Sequence, residues 1–152
     1  MFKNNVLNWR RIIDHELFHA AVFQMYYDPQ IIPSWFNESV AYLVGKNSDF
    51  DDNKFINCLE SNFEQIKELM VTNLLVNANY EFAYEVIYSF GQFFGMSFPK
   101  EKIRSFFFAL QNQIDFEITF YEEFGVSLID FIDDWYEFII SGKMKPYINL
   151  DL

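Results

Sequence analysis

Both histidines of this 152-residue chain fall in one five-residue segment, His15-Glu16-Leu17-Phe18-His19. On an α-helix, residues four apart lie on the same face, so the two imidazoles can close on one metal ion. Glu16 follows the first of them by about a third of a turn and faces the open side. The segment therefore requires a helix at this point of the chain and predicts a metal site with a carboxylate beside it.

Two other interpretations of this segment are a structural metal site and a solvated helix face. A structural zinc site is coordinatively closed and has no use for a carboxylate that is not a ligand. A catalytic site needs a base next to the water that the metal activates. The glutamate directly after His15 therefore favours a catalytic zinc site.

Catalytic zinc usually takes three protein ligands, and a candidate for the third follows in the next predicted helix. The chain breaks at Asp28-Pro29 and restarts at Ser34, which suits an N-cap, in a helix that the pattern ends at Gly45. Glu38 lies in its first turn, eighteen residues after His19. A glutamate there also favours the helix dipole without any metal. Beside the histidine segment, the ligand interpretation of Glu38 is preferred.

The histidine segment, the eighteen-residue spacer and the Trp-x-Asn-Glu-x-x-Ala sequence at 35–41 together resemble the gluzincin metallopeptidases. The resemblance is to the aminopeptidase N and leukotriene hydrolase group in particular, and to the smaller peptidase MA-like domains. It implies that His15, His19 and Glu38 bind Zn²⁺. It also implies that Glu16 is the general base that polarises the attacking water.

A second stretch, from Tyr80-Glu81 to Gly95, resembles the family segment whose opening tyrosine donates a hydrogen bond to the oxyanion. Tyr80 is therefore the implied oxyanion donor, and Tyr84 is the reserve candidate. The alternative is that these rings belong to the core, because the chain has nine tyrosines and twenty phenylalanines. With a weaker match at Gly125–Leu128 and Trp135, the resemblance covers about residues 9 to 140.

The chain departs from the family at the position that fixes a histidine ligand. Thermolysin-like members carry an aspartate four residues after the glutamate ligand, where this chain has Tyr42. Another acceptor must then orient the imidazole, and Asp14 and Asp49 are candidates of equal standing. The Gly-Ala-Met-Glu-Asn segment of the aminopeptidases is absent, so nothing in the sequence favours an exopeptidase.

The largest departure precedes His15. Gluzincins place a β-sheet there, whose edge strand pairs with the extended substrate, whereas only fourteen residues precede His15 in this sequence. We expect the chain to be part of a longer protein, or a gene remnant, or to obtain the missing wall from a partner polypeptide. The surface left uncovered should then be apolar, and peptide hydrolysis by the chain alone should be weak.

Composition and periodicity predict a mainly α single domain over residues 1–152, with six or seven helices. The resemblance implies that these helices are the C-terminal catalytic subdomain of the zincin-like fold, without most or all of its usual N-terminal β-sheet. The chain is 51% hydrophobic, and apolar residues recur at spacings of three and four in the segments 6–27, 55–69 and 86–94. Ser127-x-x-Asp130 resembles a capping box for a last helix ending near Ile140. The triplet at 106–108 predicts a deeply buried helix.

Charge and cysteine content narrow the partners and the compartment. A net charge of −11 disfavours nucleic acid and anionic membranes as partners. The single cysteine, Cys58, excludes an internal disulfide and is expected to be a partly buried helix residue. The sequence has no signal peptide and no segment of eighteen apolar residues, which favours a cytoplasmic location.

The function predicted from the sequence is a zinc metallopeptidase acting on a peptide or protein of unknown sequence. The main alternative is a peptidase-like scaffold or binding domain that keeps the zinc for stability. A third candidate is a regulatory domain that cleaves a single partner protein, which the sequence does not separate from the first.

Overall fold

The computed structural model describes residues 3–26, 31–45, 52–77, 82–112 and 115–142. Over these ranges the chain forms seven helices and no β-strand, so the predicted mainly α fold is confirmed. The helices are α1 (Lys3–Met25), α2 (Ser34–Gly45), α3 (Asp52–Val71), α4 (Ala83–Ser97), α5 (Lys100–Leu110), α6 (Phe116–Phe124) and α7 (Leu128–Ile140).

The core is built largely from phenylalanine rings. Phe36 of α2 is fully buried, and five further rings lie with their centroids 4.9–6.2 Å from its own, all tilted steeply against it: Phe90, Phe94, Phe106, Phe116 and Phe120. Edge-to-face pairs of this kind add to the stabilisation from burial alone. The neighbouring Trp35 is also fully buried and donates its indole N–H to the carbonyl of Met70 at 2.7 Å. These two anchors fix the first turn of α2. Because the helix begins at Ser34, Glu38 lies in its second turn and not in the first turn, where it was predicted.

Two glycines allow α2 to pack closely against α1 and α4. A Cβ at Gly45 would lie 2.8 Å from the carbonyl oxygen of Arg11 and 3.2 Å from Cβ of His15. A Cβ at Gly91 of α4 would lie only 2.2 Å from the carbonyl oxygen of Ser39. Because both approaches are to backbone atoms, a side chain at either position would push the helices apart. The close packing holds α2 in register with the His15 turn of α1.

Several predicted helix boundaries agree with the structure and one does not. Ser127 caps α7 by accepting a hydrogen bond from the Asp130 N–H at 3.1 Å, and Gly125 ends α6 in the left-handed conformation. Ser34 was predicted as the N-cap of α2, but the helix already includes it. The Pro33 carbonyl instead accepts the N–H groups of Phe36 and Asn37. Pro33 therefore stands at the N-cap position, where its missing N–H leaves no hydrogen bond of the helix unmade.

The prediction that residues 106–108 are deeply buried is right for two of the three. Phe106 and Phe107 are buried, whereas Phe108 is 53% exposed, because three consecutive residues point around most of a helix and α5 has one solvent side. Cys58 is half-buried on α3, as predicted. Among the described residues, no helix has the length and apolar character needed to cross a membrane.

One side of α1 exposes large apolar side chains. Five residues that share this side are each exposed by 47% or more: Trp9, Ile12, Ile13, Leu17 and Phe23. They recur at helical spacing on the side away from α2, and Glu16 lies among them. We call this surface the outer face of α1. Contiguous exposed apolar surface of this kind usually marks a site of interaction.

Candidate metal centre

The structure brings His15, His19 and Glu38 together at the contact between α1 and α2. The Nε2 atoms of the two histidines lie 3.1 Å apart. Glu38 presents one carboxylate oxygen to each ring, Oε2 at 3.5 Å from His15 Nε2 and Oε1 at 3.3 Å from His19 Nε2. Among the described residues, the side chains of His15, His19 and Glu38 form a group that is close enough to hold one ion. These are the three ligands that the sequence predicts.

The separations between these atoms fit a tetrahedral zinc site. Ligand bonds of about 2.0–2.1 Å at the tetrahedral angle place neighbouring ligand atoms about 3.3 Å apart. The two histidine nitrogens lie 3.1 Å apart, and each faces a different oxygen of Glu38 at 3.3 or 3.5 Å. With one ligand atom taken from each residue, the three atoms lie within 4.8 Å of one another, so a rotation of the Glu38 carboxylate would bring one oxygen toward both nitrogens. Two nitrogens and one carboxylate oxygen are also a donor set that zinc accepts, and three protein ligands leave the fourth position open. The residues therefore fit the metal that the sequence predicts.

The surroundings of His15 keep its imidazole neutral. Burial lowers the pKa of His15 below its usual value, and the neighbouring His19 lowers it further. Glu38, Glu16 and the Ala41 carbonyl oppose this but are outweighed. A metal binds the neutral imidazole. Because a lowered pKa reduces the fraction of His15 that is protonated, fewer protons have to be released when a metal binds. The lowered pKa of His15 is therefore compatible with the predicted role as a metal ligand.

His19 is oriented by Asn37, a residue that the sequence analysis did not assign this role. The side-chain nitrogen of Asn37 lies 3.2 Å from His19 Nδ1, while its Oδ1 is buried without a partner. Rotating the Asn37 side-chain amide by 180° exchanges its nitrogen and oxygen without changing its shape. Asn37 Oδ1 then lies opposite His19 Nδ1 and accepts the proton of that nitrogen, which leaves His19 Nε2 to bind a metal. The clue in the sequence is that Asn37 directly precedes Glu38.

His15 is held by packing. The ring of Tyr42 meets the His15 ring nearly edge-on, with centroids 4.8 Å apart. The Ala41 carbonyl acts on the ring from α2, but no acceptor among the described residues reaches full hydrogen-bond geometry to the buried Nδ1. The two acceptors proposed from the sequence do not supply one among the described contacts. Asp14 lies 3.9 Å from Arg10, and Asp49 falls outside the described residues. Tyr42, which stands where the family that the motifs resemble has an aspartate, thus contacts His15 through its ring.

Glu16, the predicted base, is exposed beside this cluster. Its charge acts on His15, and its side chain lines an open groove of about 540 Å³ together with His19 and Asn37. The arrangement therefore places three side chains that could hold an ion beside an exposed carboxylate and an open groove.

The predicted oxyanion donor, Tyr80, lies outside the described residues. Tyr84 is 63% exposed at the start of α4, and its ring centroid lies 6.2 Å from that of Tyr42. Tyr42 in turn contacts His15, so Tyr84 is separated from the metal ligands by one ring. The described contacts do not bring Tyr84 to the three predicted ligands, and the prediction for Tyr80 falls outside the described residues.

Replacing Asn37 with alanine is expected to weaken zinc binding about 10- to 100-fold, because His19 loses the group that orients it. The measurement is zinc affinity by competition with a chromophoric chelator, with Asn57→Ala as the control, since Asn57 is exposed on α3. Equal affinities for the two variants would show that His19 does not depend on Asn37.

Comparison with protein families, with curated proteins and with solved structures finds no match to this chain. The functional argument therefore depends on the residues of the site.

Proposed function

We propose that this protein is a zinc metallopeptidase of the gluzincin type, with His15, His19 and Glu38 as ligands. The observation that carries the proposal is the 3.1–3.5 Å spacing of the three ligand groups beside an exposed Glu16. The resemblance of the sequence motifs to that family supports the same assignment. The expected substrate is a peptide or an unfolded protein segment.

In the proposed reaction each side chain of the site has a separate role. Zinc, when bound, supplies a Lewis acid for the scissile carbonyl and brings the pKa of a coordinated water to about 7. Glu16 takes the proton of the attacking water and returns it to the leaving amine. Asn37 and Tyr42 keep the two imidazoles in place, so that the open side of the site faces the groove.

Tyr80 is proposed as the donor that stabilises the oxyanion. Tyr80→Phe should then lower kcat about a hundredfold while zinc content stays unchanged, because only a hydroxyl that acts on developing charge is lost. Tyr84→Phe is the matched comparison. A normal rate for Tyr80→Phe with a slow rate for Tyr84→Phe would transfer the role, and two normal rates would remove it from both.

A second candidate function is a scaffold or binding domain in which zinc is structural. It is favoured by one observation, namely that the ligand cluster joins α1 to α2 and would strengthen that contact when filled. Zinc would then raise the melting temperature by mass action without any hydrolysis. A regulatory domain that cleaves one partner protein is a form of the first proposal with a narrower substrate.

A partner polypeptide that completes the cleft is part of the proposal. The outer face of α1 exposes its apolar side chains beside Glu16, and the described residues form no strand that could align an extended substrate. In the family that the motifs resemble, a β-sheet edge performs this alignment. Loss of positioning is costly, since orientation can supply roughly 7–11 kcal/mol of a barrier. We therefore expect slow turnover from the chain alone.

The experiment for the proposed function is zinc-dependent hydrolysis of an unstructured protein. Cleavage at high enzyme concentration should stop when a chelator removes the metal and return when one equivalent of zinc is added. Magnesium should not restore it, because magnesium prefers oxygen ligands in an octahedral arrangement. Zinc binding with thermal stabilisation but no cleavage, with or without added partner fractions, would favour the scaffold instead.

A further inference from the structure

The groove beside the metal centre follows the C-terminal half of α1. Its volume of about 540 Å³ lies in the range of sites that take small molecules or single side chains. His19, Glu16 and Asn37 line its polar part. The rest is formed by α1 residues with mostly apolar surfaces: Ala20, Val22, Phe23 and the stem of Gln24.

The apolar part of the groove has a buried residue and a prominent aromatic wall. Val22 is 3% exposed, whereas Phe23 is 71% exposed, although most phenylalanines of this chain that are described are buried. Ala20, which also lines the groove, adds little bulk. Covering the exposed face of a phenylalanine is favourable by about 25 cal/mol for each Å² removed from water. A large apolar side chain is the ligand chemistry that such a wall fits.

The position of Phe23 relates this wall to the reacting bond. Phe23 follows His19 by four residues, which is about one helical turn, or about 6 Å along the axis. An extended peptide advances roughly 3.3 Å for each residue. A side chain one or two residues from a bond held at the three ligands would therefore reach Phe23.

We infer that the groove is a specificity pocket for a large apolar side chain of the substrate, with Phe23 as its selecting residue. The inference depends on the proposed function, since it places a peptide bond at the metal centre. Continuity supports a substrate as the occupant, because His19 and Asn37 belong both to the centre and to the groove.

The negative charges of the protein and of Glu16 disfavour other occupants of the groove. A second copy of the chain would bring together two proteins that each carry a net charge of −11. The partner proposed above is placed over the apolar residues of the outer face that precede Glu16, because a partner that filled the groove itself would bury the Glu16 carboxylate without a paired cation. A substrate covers Glu16 only while its own reacting groups are beside it.

The test compares two metal-binding probes that differ in one side chain, phenylalanine hydroxamate and glycine hydroxamate. Their affinities are measured by calorimetry on zinc-loaded protein whose metal content has been checked by elemental analysis. The wild type should bind the phenylalanine probe about tenfold more tightly. That preference should fall to less than about threefold in Phe23→Ala. It should persist in Phe108→Ala, which removes a similarly exposed ring on α5.

The possible results distinguish failure of the proposed pocket from failure of the proposed metal site. Equal binding of the two probes to the wild type, or an unchanged preference in Phe23→Ala, would overturn the pocket while leaving an open zinc centre in place. Binding of neither probe to the zinc-loaded protein would overturn both, because no open metal position would exist. A preference lost equally in Phe23→Ala and Phe108→Ala would also contradict the pocket, since Phe108 does not line the groove.

Discussion

Glu16→Gln is expected to keep the fold and the zinc while lowering the rate of peptide hydrolysis by about two to four orders of magnitude. The amide has nearly the shape of the carboxylate but does not take the proton of the attacking water. Because Glu16 is exposed and lies outside the three-ligand cluster, its charge is not needed to hold the metal. The measurement is kcat/KM on an unstructured protein, with zinc content determined on the same sample.

The control for this variant is Glu117→Gln, which changes an exposed glutamate on α6 in the same way. Its rate should equal that of the wild type. If Glu16→Gln loses zinc, Glu16 is a ligand and the division of roles is wrong. If it keeps both zinc and full activity, another group serves as the base.

Gly91→Ala should produce the largest loss of stability of any single added methyl group in the helical layer around the site. Its Cβ would lie 2.2 Å from the carbonyl oxygen of Ser39, and no side-chain rotation relieves a contact with backbone. Either α4 or α2 must shift, which should lower the free energy of unfolding by about 3 kcal/mol or more. Because α2 carries Glu38, zinc affinity should fall as well.

Urea denaturation of Gly91→Ala and of Ser97→Ala measures this effect. Ser97 is exposed near the end of the same helix, and its replacement should change stability by about 0.5 kcal/mol at most. A Gly91→Ala protein as stable as the wild type would contradict the close packing of α2 against α4. Loss of stability with unchanged zinc affinity would show that the metal centre tolerates a shift of α2.

The parts of the account that were predictable from sequence depend on local signals. The spacing of His15 and His19 predicts a helix, and the capping pattern at Ser127 predicts the start of α7. Apolar residues at spacings of three and four predict the helical fold. The same spacing predicts the face of each helix that is buried. The convergence of Glu38 on the two histidines came from the family resemblance, because the geometry of two helices eighteen residues apart is not fixed by local pattern.

The parts that were not predictable depend on contacts between distant elements. Asn37 orients His19 only because α2 crosses α1 at this turn, and sequence reasoning looked instead for a carboxylate. The exposure of Phe108 depends on which side of α5 has no neighbour. The role of Gly91 is visible only once Ser39 is seen opposite to it. In each case the residue type was known, but the partner was set by tertiary packing.

The measurement that tests the central claim most directly is the zinc content of the protein purified without a histidine tag. The wild type should carry one zinc ion per chain after gel filtration, while His15→Ala, His19→Ala and Glu38→Ala should each carry almost none. Circular dichroism on the same samples establishes that the variants remain helical. Asn57→Ala, which changes an exposed residue of α3, should retain the metal. A wild-type protein that holds no more zinc than the three ligand variants would contradict the assignment of the site and the function built on it.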